Sequence, residues 1–416
     1  MASRRYRWAV VGMLWLVCLF NYADRQAIFS VFPLLKEKMQ LSDVQLGVVG
    51  SAFMWAYAAA LPFAGVVADR VNRKHLILGG LLFWSLITLA TGFATEFWHL
   101  VLFRSLEGLG EAFYFPASMS VIADYHGKET RSRAMGLHQS SVYAGTVLGG
   151  AVAGYCGERF GWQSGFFLFG GLGILLAAVL VLFLREPVRE TVQSANDRPS
   201  WDVFQGIGEV IRTPMALVLT AVFVGANFVA VIFLTWMPSY LKEKFGMSLT
   251  MSGLNATLWL QTASVVGVVF GGWLADRWSR TMPGGRPLTQ VIGLYAGAPL
   301  IAITGWTMDV PTLVIAMAGF GFCKGIYDAN IWASLYDSVP PHRRATAQGL
   351  MNATGWLGAA TAPIAFAVAS NRYGMGSCMS ATSLIYVAFG TLLAIGTLAF
   401  ARPKRPAVLA SPDPVD

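Results

Sequence analysis

Arg104, Glu107 and Glu111 stand in the run Arg104 to Pro116, R-S-L-E-G-L-G-E-A-F-Y-F-P, within a stretch otherwise apolar for longer than a soluble helix requires. Residues three, four and seven apart return to one face of an α-helix, so the three charges form a single stripe. Two further groups of the same kind occur in apolar runs. Asp24 and Arg25 close N-Y-A-D-R, and Lys324 and Asp328 lie one helical turn apart in G-F-C-K-G-I-Y-D-A-N. Carboxylates near guanidinium and ammonium groups can take up and release protons and bind anions. Burial and a neighbouring cation act on a carboxylate's proton affinity in opposite senses, so its protonation can follow movement of the cation. Other chemistry finds little support. The chain has five histidines and neither H-E-x-x-H nor G-x-S-x-G, which argues against an enzyme. It has no G-x-x-x-x-G-K-[ST], which argues against a nucleotide-driven pump. Cys18, Cys156, Cys323 and Cys378 have neither metal-ligand nor disulfide spacing, so no metal and no cofactor is expected.

These charges need elements that keep them away from lipid. An ionisable side chain at membrane depth costs at least about 2.5–3.5 kcal/mol, and is tolerated against a partner or a wet cavity. Of 416 residues, 55% are hydrophobic and 12% charged, with a mean hydropathy of +0.56, the composition of a polytopic membrane protein. Apolar runs able to cross a bilayer of about 30 Å recur at 8–30, 43–68, 74–94, 97–123, 131–154, 164–184, 213–241, 249–276, 286–307, 311–336, 344–369 and 377–400. The expected fold class is therefore an all-α membrane protein of twelve transmembrane helices. Arg4, Arg5 and Arg7 lead directly into a full-length span, so no cleavable signal peptide is expected. With both termini cytoplasmic, 21 of the 30 Lys and Arg fall inside and six outside, which fixes that orientation. The same bias accounts for the net charge of +8 without a nucleic-acid partner.

A shift of 213 residues pairs Gly108 with Gly321, Tyr114 with Tyr327, Asp124 with Asp337 and Arg131 with Arg344. The loop G-V-V-A-D-R-V-N-R-K at Gly65 to Lys74 is echoed by G-W-L-A-D-R-W-S-R at Gly272 to Arg280. The longest polar segment separates the repeats. The expected organisation is two pseudo-symmetric six-helix bundles, residues 1–184 and 213–416 with a short cytoplasmic tail, joined by a cytoplasmic linker at 185–212.

The Gly65–Lys74 loop resembles the signature loop of the major facilitator superfamily, and Arg104-x-x-x-Gly108-x-Gly110-x-Ala112 resembles its fourth-helix motif. Within the superfamily, Asn21 to Arg25 with Gly110 to Ala112 resembles two branches. One is the anion:cation symporter family of organic-anion carriers, which Phe115-Pro116-Ala117 also resembles. The other is the spinster family of lysolipid and sphingolipid transporters, to which G-L-G-E-A and Arg185-Glu186-Pro187 are similar. Both imply a coupling role for Asp24, Arg25 and Glu111. The resemblance places spans one, four, seven and ten around a central cavity, and with them Asp24, Arg25, Arg104, Glu107 and Glu111.

The expected function is secondary active transport by alternating access, in the form of proton-coupled symport of a small organic anion of carboxylate or sugar-acid type. The alternatives are a spinster-like, proton-linked carrier of lysolipid or other amphiphilic cargo, and a non-transporting sensor. The missing Gly-Pro pair of the superfamily's antiporter motif in span five leans towards symport. Asp24, Glu111, Arg25 and Arg104 are assigned to proton coupling, against the alternative of a static ion network joining two helices. Arg25, Glu107, Tyr114, Asn227, Trp236, Lys324, Tyr327, Asp328 and Asn330 are assigned to the substrate. Lys324 and Asp328 can instead pair with each other, and Trp236 and Tyr240 can be interfacial anchors. His138 is expected to make a structural hydrogen bond, with a place in a proton path as the alternative, and Gln261 has the same two readings. A gating role falls to Asp69, Arg70 and Arg73 and to Asp276 and Arg277, with Arg280 repeating the pattern. Asp124 with Arg131 and Asp337 with Arg344 extend it to the next loops. The expected partners are the substrate, protons and the lipid bilayer. A bacterial inner (plasma) membrane location is expected, and the resemblance implies a functional monomer.

Overall fold

The computed structural model describes residues 4–127, 129–186, 203–282 and 284–400; the side chains of residues 4, 65, 66, 68–70, 203–206, 342 and 345 are outside that description. The described chain is helical, with no strand among the described residues. In order it forms α1 (Arg4–Ser30), α2 (Phe32–Lys38), α3 (Asp43–Arg70), α4 (Arg73–Thr91), α5 (Phe97–Glu111), α6 (Tyr114–Tyr125), α7 (Arg131–Phe160) and α8 (Gln163–Phe183). There follow α9 (Val203–Ile211), α10 (Pro214–Phe245), α11 (Leu249–Thr281), α12 (Gly285–Trp306), α13 (Val310–Asp328), α14 (Ile331–Ser338), α15 (Arg344–Ala359), α16 (Ala362–Tyr373) and α17 (Met375–Phe400). Local chemistry marks the ends. Ser42 and Gln45 form a capping box, Asn72, Ser248 and Asp309 accept from the first turns they precede, and Gly246 takes the left-handed conformation after α10.

The twelve expected spans are present, but three are not single helices. α5 with α6, α13 with α14, and α15 with α16 each make one crossing interrupted by two residues. Pro116 and Pro363 have no N–H to return to the preceding turn, which explains the first and third breaks. At the second, the Asn330 amide donates to the Ile326 and Gly271 carbonyls, 3.1 Å each, so a side chain takes up acceptors at the break. Among the described residues, ten helical stretches are long and apolar enough to cross a membrane unaided. The remaining crossings are α5–α6, which holds the buried charge stripe, and α7.

The termini of the described chain lie at one end of the bundle, the near end. At the opposite, far end the six crossings before residue 187 meet the six after 212. A Cβ on Gly253 of α11 would lie 2.1 Å from the Gly150 carbonyl oxygen of α7, and one on Gly47 of α3 would lie 2.8 Å from that of Pro363. Only glycine permits backbones this close. Glu158 accepts from the Thr250 hydroxyl at 2.6 Å, Gln26 donates to the Leu234 carbonyl at 3.0 Å, and Lys36 lies 3.6 Å from Glu243.

Residues 187–202 of the expected linker and 401–416 of the expected tail lie outside the described residues. The rest of the linker is not all irregular: it contains α9, whose Glu209 receives two hydrogen bonds from Arg343 at 2.8 and 2.9 Å.

Candidate functional site: a buried carboxylate and arginine cluster

Gly108 gives the cluster its geometry. A Cβ there would lie 2.3 Å from the Phe53 carbonyl oxygen, so α5 and α3 can touch backbone to backbone. This brings the Phe53 ring against the charge stripe. The Arg25 and Arg104 guanidinium groups each lie 4.6 Å from the centre of that ring, and Tyr22 and Tyr57 flank Arg25 at 4.6 and 4.9 Å. The two arginines are thus at a common depth and share one aromatic partner.

Each arginine holds one carboxylate. Arg25 donates to Glu111 Oε2 through Nη2 at 2.7 Å and Nε at 3.2 Å, and to Asn21 at 3.4 Å. Arg104 pairs with Glu107 on the same helix. Thr88 of α4 donates its hydroxyl proton to Glu107 at 2.7 Å and lies 3.4 Å from Asp24 Oδ2. Asp24 is 1% exposed, makes no described ion pair, and its Oδ1 has no described hydrogen-bond partner. Three carboxylates therefore face two guanidinium groups, and the third carboxylate is Asp24. Glu111 Oε1, Arg25 Nη1 and Arg104 Nε and Nη2 are also buried without a described hydrogen-bond partner. Asp24, Arg104, Glu107 and Glu111 are buried, whereas the Arg25 side chain keeps 11% of its surface free.

Across from this cluster, Lys324 and Asp328 of α13 pair with each other and keep 18% and 33% of their side chains free. Tyr143 of α7, in the other half, lies within electrostatic reach of both. Tyr57 of α3 packs edge-on against Trp356 of α15 at 5.7 Å, again joining the halves.

The other residues expected around the substrate are placed differently. Asn227 is half-buried and donates to the Phe223 carbonyl. Tyr327 of α13 is buried, its hydroxyl without a described partner. Asn330 is committed to the backbone break described above. Tyr114 is buried within the first half, where its hydroxyl donates to the Leu14 carbonyl at 2.6 Å and meets His138 Nε2 at 2.9 Å. His138 thus has the structural bond expected of it. Trp236 and Tyr240 are not interfacial anchors, being 0% and 2% exposed. Trp236 donates to the Pro363 carbonyl at 3.1 Å between the Phe32 and Phe366 rings, in the far-end closure. Its apolar context resembled that of an anchor, and only the packing of α16 reveals the difference.

At the near end Arg73 pairs with Asp124, and Arg286 pairs with Asp337 at 2.5 Å and Asp276 at 3.1 Å. Arg131 donates to the Ala123 carbonyl and Arg344 to the Tyr336 carbonyl, 3.2 Å each. The two sets superpose under the 213-residue shift, so the counterpart of Arg73 is Arg286. The sequence echo of Arg73 in Arg280 is corrected: α12 starts later relative to its loop than α4 does. Arg277 is exposed, and the side chains of Asp69 and Arg70 lie outside the described residues. Glu186 accepts from the first backbone N–H groups of α4, Arg73 and Lys74, at 3.2 and 2.7 Å.

Thr88, Phe53 and Tyr57 were not singled out by sequence. A lone threonine and two aromatics in apolar runs carry no local signal, and only the approach of α3 and α4 to α5 gives them a role.

Comparison with known proteins gives the family and the fold. The chain is 28% identical to "Protein spinster homolog 1" of Xenopus tropicalis over 91% of its length and 76% of that protein. It is 27% identical to the "Probable galactarate/D-glucarate transporter GudP" of Escherichia coli (strain K12) over 94% of its length and 92% of that protein. Its fold matches a crystal structure described as a bacterial homologue of the human lysosomal transporter spinster, inward-facing and unoccupied, with a TM-score of 0.85, 22% identity, and coverage of 97% of this chain and 100% of that one. The Major Facilitator Superfamily model matches residues 14–363 and 256–415, and with the twelve-helix fold this establishes that the chain belongs to the major facilitator superfamily.

Proposed function

We propose that this transporter couples uptake of a small organic anion to protons, with Asp24 as the proton carrier and Arg25 as the group that links proton to substrate. Membership of the superfamily makes the chain an integral, multi-pass membrane transporter and not an enzyme. The observation that carries the finer reading is the unequal charge count. Two guanidinium groups compensate Glu107 and Glu111, which leaves Asp24 without a cation. The one hydroxyl proton of Thr88 is given to Glu107 at the shorter distance, so the 3.4 Å approach of Asp24 is favourable when Asp24 itself is the donor. A proton on Asp24 satisfies that geometry and neutralises the cluster.

Arg25 is the partly free member of the cluster, and its Nη1 has no described hydrogen-bond partner. An anion arriving there competes with Glu111 for the guanidinium. With Arg25 drawn to the anion, the cluster has less positive charge to share among its carboxylates, so an ionised Asp24 costs more and Asp24 holds its proton while substrate is bound. Lys324 supplies a second cation from the opposite half once it leaves Asp328. The cargo reading draws support from the relative named as a galactarate/D-glucarate transporter. The likeness to a spinster protein supports a second reading, the lysolipid or other amphiphilic cargo that the family resemblance implies. The halves rock about the linker at 185–212, with both termini cytoplasmic as the positive-charge bias requires. The far end then faces outwards.

The test is uptake by reconstituted vesicles with an imposed pH gradient, using labelled D-glucarate in one arm and a labelled lysophospholipid in the other. Acid-outside vesicles are expected to accumulate glucarate, and abolishing the gradient should end accumulation but leave exchange. Accumulation of the lysophospholipid alone would replace the first reading with the second. Binding without exchange of either would indicate a sensor.

A further inference from the structure

A second cavity, of about 1000 Å³, lies outside the central site at the far end of the second half, between α10, α12 and α17. One cation, Lys244, lines it together with Glu243, Ser377 and an apolar wall that includes Pro299, Ile303 and Trp306. Glu243 is turned to Lys36, at 3.6 Å. Lys244 makes no ion pair with a described carboxylate; its ammonium donates to the Tyr240 hydroxyl at 2.7 Å and the Gly305 carbonyl at 2.9 Å. Both are neutral acceptors, and an ammonium has a third N–H to give. The depth is also informative. All three helices reach the far end here, and Trp306 at the end of α12 is 83% exposed, as aromatic residues are at the membrane–water boundary.

A cation held by neutral oxygens, beside an apolar wall at interfacial depth, has the complementarity of an anionic headgroup with its acyl chain. We propose that this cavity binds the phosphate headgroup of an anionic membrane lipid through Lys244, with the lipid chain lying along Pro299, Ile303 and Trp306. The site is separate from the transport cluster, and the lipid there is a resident partner rather than cargo. It bridges the end of α10 to the start of α17 and the end of α12, beside the far-end closure.

Native mass spectrometry of the full-length protein in detergent, titrated separately with phosphatidylglycerol, phosphatidylcholine and inorganic phosphate, tests this. The wild type should retain one phosphatidylglycerol more than Lys244→Met. The variant's affinity for that molecule should fall about tenfold, the size of one charge-assisted hydrogen bond. Phosphatidylcholine retention should be equal in the two, and Lys244→Arg should keep the extra lipid. An unchanged melting temperature in Lys244→Met separates lost lipid from lost fold. Equal phosphatidylglycerol retention by Lys244→Met and wild type would overturn the proposal. Displacement of the lipid by millimolar inorganic phosphate would overturn the lipid assignment in favour of a free-anion site.

Discussion

The charged cluster is held together by small groups that the charges themselves conceal. Thr88 contacts both Glu107 and Asp24, and Thr88→Val leaves each with fewer partners in a buried setting. Such a loss typically costs about 1–3 kcal/mol, so the variant should melt several degrees lower in detergent and shift the pH dependence of transport. Phe53→Leu removes the ring that both guanidinium groups face. It should weaken proton coupling more than Leu substitution of a comparably buried aromatic away from the charged residues, such as Phe166 of α8, which packs on Trp162; equal effects would mean that Phe53 serves packing alone. Sequence made the ions legible because an ionised residue in an apolar run is rare and needs a reason. It did not reveal which carboxylate is unpaired, since the choice of Glu111 by Arg25 and of Glu107 by Arg104 depends on side chains from α3 and α4.

At the scale of helices, the twelve crossings could be read from the length of the apolar runs, and the repeat from a constant offset. The breaks were less visible. The spans 97–123 and 344–369 are expected as unbroken runs although Pro116 and Pro363 stand in them, and Asn330 acts through a carbonyl of α11, which lies far away in sequence. The far-end closure rests on the α7–α11 crossing, where a Cβ on Gly253 would also lie 3.0 Å from Ser30 Oγ. Gly253→Leu should hold that end open. Ser30→Cys in a cysteine-free background is expected to resist a membrane-impermeant maleimide while Gly253 is present, and to react severalfold faster once Gly253→Leu is added; equal labelling would contradict the closure. On α2, burial disfavours the charged Lys36, but Asp43 and Glu243 more than offset it and hold the ammonium above its ordinary value. A raised value means that its contribution is full at neutral pH and is lost only as pH rises through that value. The far-end latch made by Lys36 should therefore weaken with salt and stay constant between about pH 6 and 8.

For the whole molecule, alternating access needs two halves that are stable apart and that meet in more than one way. The matched pairs Arg73–Asp124 and Arg286–Asp337 each lie within one half and tie neighbouring helices of that half together at the near end. Removing either should loosen one half and slow transport without abolishing binding. The central claim concerns the third carboxylate. It is tested most directly by comparing wild type and Asp24→Asn in reconstituted vesicles, measuring pH-driven accumulation of labelled anion and its exchange in the same preparation. Asparagine mimics the protonated carboxyl and cannot release a proton, so the variant should lose accumulation and keep exchange. Accumulation that still follows the pH gradient in Asp24→Asn would contradict Asp24 as the proton carrier.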